Sequence, residues 1–298
     1  RARFATGCFF NFSGTGGIWR RAAIDAAGGW QHDTLTEDLD LSYRAQLAGW
    51  QFVYRADVVT PSELPEDMSA LRAQQFRWAK GTVQTARKLL PLIMKSDIGD
   101  RRRLEALFHM TPHFAYPLMM LLSVLLLPAL WLMPATDFRT MLAIDLPLCC
   151  GATGSIVTFY AAAERAQGRS AWGAIKRMPA LIALGAGLSP HLSRAVYEGM
   201  RAMAGEFVRT PKRGENGGRY RQRAQLPFVE AVLAAVSIGS VFVAIDTSHW
   251  FAIPFAGLFA WGYAYVAIRM LVEQMQTRRE SFAPATSATE SGEVARAA

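Results

Sequence analysis

Cysteine is scarce in this chain, with three residues among 298, at positions 8, 149 and 150. Three cysteines do not make a disulfide framework. Cys149 and Cys150 fall in an apolar run and Cys8 in a strand-like one, so all three read as buried thiols. Histidine is almost as rare, with five residues. His109 and His113 stand four apart, but Pro112 breaks the helix that would align them as metal ligands. His191, beside Pro190, reads as a packed side chain. The long apolar runs hold few acidic residues, Asp145 and Glu230, which argues against an ion-coupled transporter. The chain opens on Arg1 rather than Met, shows no signal-peptide pattern and starts within a strand-like stretch.

What is abundant is apolar surface and positive charge. Hydrophobic residues make up 51% of the chain, concentrated in its second half. Lys and Arg number 32 against 24 Asp and Glu, a net charge of +8. The basic residues lie beside apolar segments, which points to a membrane surface and not to nucleic acid. Apolar runs at 111–133, 141–163, 226–245 and 249–271 are each near the length that crosses a bilayer. A shorter one, 178–188, is flanked on both sides by Lys and Arg. If it spanned, one basic loop would lie outside, so it reads as interfacial or re-entrant. Four spans and this segment make residues 101–275 a transmembrane region with the first hundred residues and the C-terminal tail cytoplasmic. Residues 276–298 read as a disordered tail.

The first hundred residues alternate short strands and helices. Phe4 to Phe12 reads as a buried strand, running into the turn Ser13-Gly14-Thr15-Gly16-Gly17, and a helix from Ile18 is stopped by Gly28-Gly29. Thr34 followed by Glu37 makes a capping box, so a helix is expected from there to Gly49. Leu39, Tyr43 and Leu47 form its apolar stripe, and Asp40 with Arg44 an i,i+4 pair. Each acid here serves equally well as a cap or dipole partner, or, for Asp38, as a general base at a helix mouth. Asp38 and Asp40, two apart on a helix, point to opposite sides, which speaks against joint metal chelation. Gln51 to Tyr54 reads as a second strand. The fold class expected is α/β for residues 1–100, as the C-terminal half of a domain, followed by an all-α membrane region.

Residues 69–81 read as a helix opening at Ser69. Gln74, Arg77, Trp78 and Gly81 share one face at i, i+3, i+4 and i+7. An amide, a guanidinium and an indole on one stripe suit an anionic, ring-shaped ligand; a Trp anchor at a membrane surface is the plainer alternative.

Together these residues resemble the processive family 2 glycosyltransferases, the group of cellulose, chitin and mannan synthases. The resemblance rests on Phe9-Phe10-Asn11-Phe12-Ser13-Gly14-Thr15 with Arg20-Arg21, on Thr36-Glu37-Asp38, and on Gln74-x-x-Arg77-Trp78. Gly28-Gly29-Trp30, the Gly49-Trp50-Gln51-Phe52-Val53-Tyr54 run, Ser62-Glu63-Leu64-Pro65 and Glu206-Phe207-Val208-Arg209-Thr210-Pro211-Lys212 look most like mannan and glucomannan synthases. The resemblance implies an inverting transfer from a nucleotide sugar, GDP-mannose or UDP-glucose, to a glycan or lipid acceptor. It implies Asp38 as the general base, with Glu37, Gln74, Arg77 and Trp78 binding substrate. Gln74 and Arg77 would face the diphosphate and Trp78 the acceptor sugar. Phe12, Ser13, Gly14 and Thr15 would line the acceptor site. It also implies a divalent metal, Mg or Mn, whose ligands are expected upstream of this chain. The expectation is accordingly that residues 1–298 are inactive alone. A glycolipid-forming enzyme of the same family, or a non-catalytic membrane subunit, are the competing readings.

Overall fold

The computed structural model of the chain describes residues 2–14, 16–65, 67–133, 137–203, 205 and 226–282. The helices before residue 100 are α1 (Ala2–Ala5), α2 (Arg21–Ala26), α3 (Glu37–Leu47) and α4 (Met68–Lys95). Then come α5 (Asp100–Met110), a 3-10 turn leading into α6 (Ala115–Leu132), α7 (Phe138–Ala166), α8 (Ala171–Arg201), α9 (Phe228–Asp246), a second 3-10 turn and α10 (Ile253–Phe282).

No strand occurs among the described residues, so the α/β class expected for residues 1–100 does not appear in them. A strand needs a neighbour to ladder with. Phe10 and Phe12 instead hydrogen-bond to side chains of α3, and residues 50–54 form no regular element.

Two helix starts also differ from the sequence pattern. The residue before α3 is Thr36, not Thr34, and its hydroxyl bonds to Thr85 Oγ1 (3.0 Å) instead of capping. α4 is capped by Asp67, whose carboxylate accepts from the Ala70 N–H (2.6 Å). Ser69 lies inside the helix, which runs on past Gly81 for a total of 28 residues.

α4 is shared between two apolar cores. Its C-terminal half contributes Ala86, Leu89 and Ile93 to a core with Leu39 and Tyr43 of α3 and Ala106 and Met110 of α5. Its N-terminal half contributes Met68 and Ala79 to a core with Leu188, Leu192 and Ala195 of α8 and Val266 and Met270 of α10. A third core joins Ala186, Leu233, Ala234, Phe259 and Tyr263 of α8, α9 and α10. There the Tyr263 hydroxyl bonds both Ser123 Oγ of α6 (2.8 Å) and Ser189 Oγ of α8 (3.2 Å).

Three helices are long and apolar enough to cross a membrane among the described residues: Pro112–Leu132, Phe228–Asp246 and Trp250–Thr277. These correspond to three of the four expected spans. The fourth falls within α7, a 29-residue helix several of whose side chains lie outside the described set. The 178–188 stretch is the middle of α8, a continuous helix of 31 residues and not a re-entrant loop. Cys150 is exposed, against the expectation of a buried thiol, while Cys8 is buried. α7 packs mainly against α8, and its Phe138 ring meets Phe251 (centroids 6.3 Å apart). α10 continues to Phe282, past residue 276 where the composition begins to look like a tail.

α8 and α10 cross with their backbones in contact. A Cβ on Gly262 would overlap the Ala183 carbonyl, and one on Gly187 would overlap the Gly262 carbonyl. Small residues are what allow helices to approach so closely. Gly262→Ala is expected to push the two helices apart and destabilise the bundle by about 1–3 kcal/mol, read as a lower Tm of the detergent-solubilised protein.

Candidate active site

The site is assembled along one face of α3. Asp38, Ser42 and Gln46 follow one another at i, i+4 and i+8, so their side chains line up on that face. The segment before the Gly-rich turn runs along them in the opposite direction. Gln46 closes on Phe10 twice: its Oε1 accepts from the Phe10 N–H (3.2 Å) and its Nε2 donates to the Phe10 carbonyl (2.8 Å). Ser42 Oγ accepts from the Phe12 N–H (2.9 Å) and donates to the Asp38 carbonyl (2.6 Å). Two residues further on, a Cβ at Gly14 would lie 3.2 Å from Asp38 Oδ2.

The match has a metrical basis. Four residues of helix advance about 6 Å, and two residues of extended chain about 6.6 Å. Every second residue of the segment therefore meets every fourth residue of α3, and the turn is delivered to the Asp38 carboxylate.

Asp38 itself is half-buried in the first turn of α3. Its Oδ1 accepts from the Leu39 N–H (2.8 Å), and the positive end of the helix dipole favours its charge. Its Oδ2 faces the Gly14 backbone. The turn that provides this bare backbone is bent through left-handed conformations at Ser13 (φ 61°), Gly14 (φ 71°) and Gly16 (φ 68°). Asn11 Nδ2 donates to Ser13 Oγ (3.1 Å) across it. The Phe12 ring packs where a side chain at Gly17 would stand, and meets Trp19 edge-on at 5.7 Å. Thr15 lies outside the described residues. Glu37, half-buried, precedes Asp38 at the first position of α3.

Asp40 points the other way. It is fully buried, with Oδ2 held by Arg44 (2.6 Å) and Oδ1 by Lys88 of α4 (2.9 Å). Lys88 also binds Asp33 (2.8 Å) and Gln31 (2.5 Å), and Arg44 donates to the Ala27 carbonyl. The expected Asp40–Arg44 pair is thus present, as a structural tie between α3, α4 and the loops before α3. No group of three His, Cys, Asp or Glu side chains converges among the described residues. With Asp40 neutralised by two cations, the acids beside Asp38 do not fit a metal ion, and no step below is routed through one.

α4 forms the other wall. At Gly81 it touches the backbone ahead of α3: a Cβ there would stand 2.8 Å from the Thr36 nitrogen and 2.9 Å from the Leu35 carbonyl carbon. One turn further on, Gln84 Oε1 accepts from the Leu35 N–H (3.0 Å) while its Nε2 donates to the Ala202 carbonyl (2.9 Å). Thr85 meets Thr36, as described above. Arg77 and Trp78 lie one turn before Gly81 and Gln74 two turns before it, about 10 Å along the axis. Gln74 and Arg77 are half-buried, and Trp78 is 42% exposed. The structure thus joins Gly14 to Asp38 and Gly81 to Thr36. It puts Gln74, Arg77 and Trp78 further along α4.

Ser42, Gln46, Gln84 and Lys88 are functional supports that the sequence reading passes over. Their signal was a polar residue every fourth position on α3, and a buried amide one turn past Gly81. Behind the site, Tyr43 OH and His109 Nδ1 are 2.6 Å apart. Burial raises the Tyr43 pKa above its ordinary value. Burial first, and then the Arg3 charge, lowers that of His109 to about 4. His191 packs on Phe76, with ring centroids 4.9 Å apart.

The chain belongs to the glycosyl transferase family group 2, whose family model matches residues 1–162. Among curated relatives it is 37% identical over 147 residues to glucomannan 4-beta-mannosyltransferase 7 of Arabidopsis thaliana, covering 48% of this chain and 26% of that one. It is 44% identical over 105 residues to the probable glucomannan 4-beta-mannosyltransferase 7 of Oryza sativa subsp. japonica, covering 35% and 18%. To glucomannan 4-beta-mannosyltransferase 1 of the same organism it is 49% identical over 88 residues, covering 30% and 17%. The matched stretches thus span about a quarter or less of these relatives' lengths. No solved structure matches the chain significantly.

Two outcomes follow from the site's supports. Gln46→Leu removes both partners of Phe10 and is expected to cost about 1–3 kcal/mol, seen as a lower Tm and faster proteolysis near residue 10. For His109, a pKa below the unfolded value means that the unfolded chain binds more protons. Stability is then complete above about pH 6.5 and falls as pH drops toward about 4. A His109→Phe variant should lose that slope in a Tm-versus-pH series.

Proposed function

We propose that this chain forms the acceptor side and membrane part of an enzyme that moves a hexose from a nucleotide sugar onto a growing β-linked glycan. The observation that carries the reading is the Asp38 carboxylate: Oδ1 is tied to its own helix and Oδ2 is turned toward bare Gly14 backbone. A sugar hydroxyl is a poor nucleophile until its proton has a destination. In the proposed step the acceptor hydroxyl lies between the Gly14 turn and Asp38 and gives its proton to Oδ2. Its oxygen then bonds to the anomeric carbon on the face opposite the leaving group, and the bond from that carbon to the nucleoside diphosphate breaks.

The α4 face fits the remaining tasks. Arg77 offers a fixed fork of donors suited to diphosphate oxygens, and Gln74 a further donor. Trp78 presents an exposed indole to the C–H face of a sugar ring. Glu37, at the start of α3, is a substrate contact in this reading. The donor is proposed as GDP-mannose before UDP-glucose, because the matched relatives bear the name glucomannan 4-beta-mannosyltransferase. The product is proposed to be a β-1,4-linked glycan, with residues 1–110 and the C-terminal end on the cytoplasmic side. A divalent ion would help neutralise the departing diphosphate, but none of the described residues is assigned to hold one.

Asp38→Asn in the full-length protein is expected to lower turnover by about 10²–10⁴-fold, with membrane insertion and amount unchanged. The measurement is initial rate in membranes supplied with a panel of nucleotide sugars. Retained turnover would remove Asp38 from the role of base.

A further inference from the structure

The face that carries Gln74, Arg77 and Trp78 lies between two sets of polar anchors on α4. At the N-terminal end, Glu273 of α10 accepts from the Met68 N–H (2.6 Å), the Ser69 N–H (3.1 Å) and the Ser69 hydroxyl (2.8 Å). One turn along, Arg72 pairs with Glu230 of α9 at 2.5 Å, the two side chains only 8% and 6% exposed. At the other end, Lys80 pairs with Glu198 of α8 (3.0 Å), and Arg87 donates to the Gly199 carbonyl (2.9 Å). A Cβ at Gly199 would stand 2.8 Å from the Lys80 carbonyl, so the two helices touch there.

The apolar packing of Met68 and Ala79 is non-directional and by itself leaves α4 some freedom of rotation. Directional bonds to a carboxylate do not permit that. Glu273 meets three donors at once and sits at the positive end of α4, where the free N–H groups of a first turn need acceptors. Glu230 neutralises a guanidinium that would otherwise be buried without a counter-charge. Both acids come from helices that are candidate spans, and neither is needed to hold those helices to each other: α9 and α10 already share an apolar core.

We propose that Glu273 and Glu230 are positioning residues for the transferase. From the membrane helices they set the rotation and height of α4, and through it the placement of Arg77 and Trp78 against Asp38. This rests on the reading of the site as a glycosyltransferase centre. A displacement of about 1 Å at a reacting geometry can cost about 100-fold in rate, so the anchors should register in kcat.

The test uses the full-length protein in native-like membranes. Glu273→Gln replaces two acceptor oxygens by one and turns an NH₂ toward the α4 donors. It is expected to lower kcat about tenfold or more, with donor KM and membrane amount little changed; Glu230→Gln, which strands the buried Arg72 charge, should lower kcat per folded molecule as well but also reduce stability. Glu164→Gln, which breaks an exposed pair with Arg169 far from α4, should leave kcat unaltered. The reciprocal exchange Arg72→Glu with Glu230→Arg should restore much of what either change alone removes.

A second readout does not use turnover. With every native cysteine, Cys8, Cys149 and Cys150 among them, replaced by Ser, a Trp78→Cys variant is labelled with a water-soluble maleimide. Adding Glu273→Gln should change the labelling rate about threefold or more, as expected for a displaced helix face. Unchanged kcat with unchanged labelling overturns the proposal, as does a reciprocal exchange that restores nothing. If the unaltered protein transfers no sugar at all, the functional reading fails. The labelling result still decides on its own whether Glu273 positions α4.

Discussion

Everything at this site depends on a coincidence of two repeats. Phe10, Phe12 and Gly14 step along an extended segment two residues at a time, and Gln46, Ser42 and Asp38 step down a helix four at a time. Because the two rises are nearly equal, a helix can serve as the hydrogen-bonding edge that a strand would normally provide. Side chains do here what backbone does in a sheet. The arrangement places a carboxylate at the end of the ladder, where the extended segment turns and shows backbone without a side chain.

α4 then links this construction to the rest of the molecule. One half of the helix is covered by α3 and α5 and the other by α8 and α10. Its polar ties follow the same division only in part. Lys88 and Thr85 hold the segment around α3, and Ser69, Arg72 and Lys80 hold α10, α9 and α8, while Gln84 and Arg87 cross the division to the C-terminal end of α8. One helix thus packs both against the helices around Asp38 and against two of the candidate spans.

Much of this was legible in the sequence. Asp38 at a helix mouth, the opposite direction of Asp40, its pairing with Arg44, three of the long apolar segments and the shared face on α4 all followed from spacing. The strands were not, because a strand pattern in Phe4–Phe12 says that the segment is buried and extended but not what pairs with it. The true helix starts were missed for a related reason. Thr34 and Ser69 have good capping chemistry, but Thr36 and Asp67 precede the first helical residues; the Thr34 hydroxyl is buried without a hydrogen-bond partner, and Glu273 takes that of Ser69. Gln46 and Gln84 were invisible because a polar residue becomes a clamp only when folding brings a distant backbone to it.

The bonds from Met68 and Ser69 to Glu273 join residues 205 and 204 positions apart. On a ribosome adding about 5–20 residues per second, that separation corresponds to roughly 10–40 s. During that interval the first turn of α4 must keep water or another acceptor on the N–H groups that Glu273 later takes. The helix that carries Gln74, Arg77 and Trp78 therefore reaches its final seat only after α10 has been made. Assembly order, and not only final geometry, is written into where that carboxylate stands.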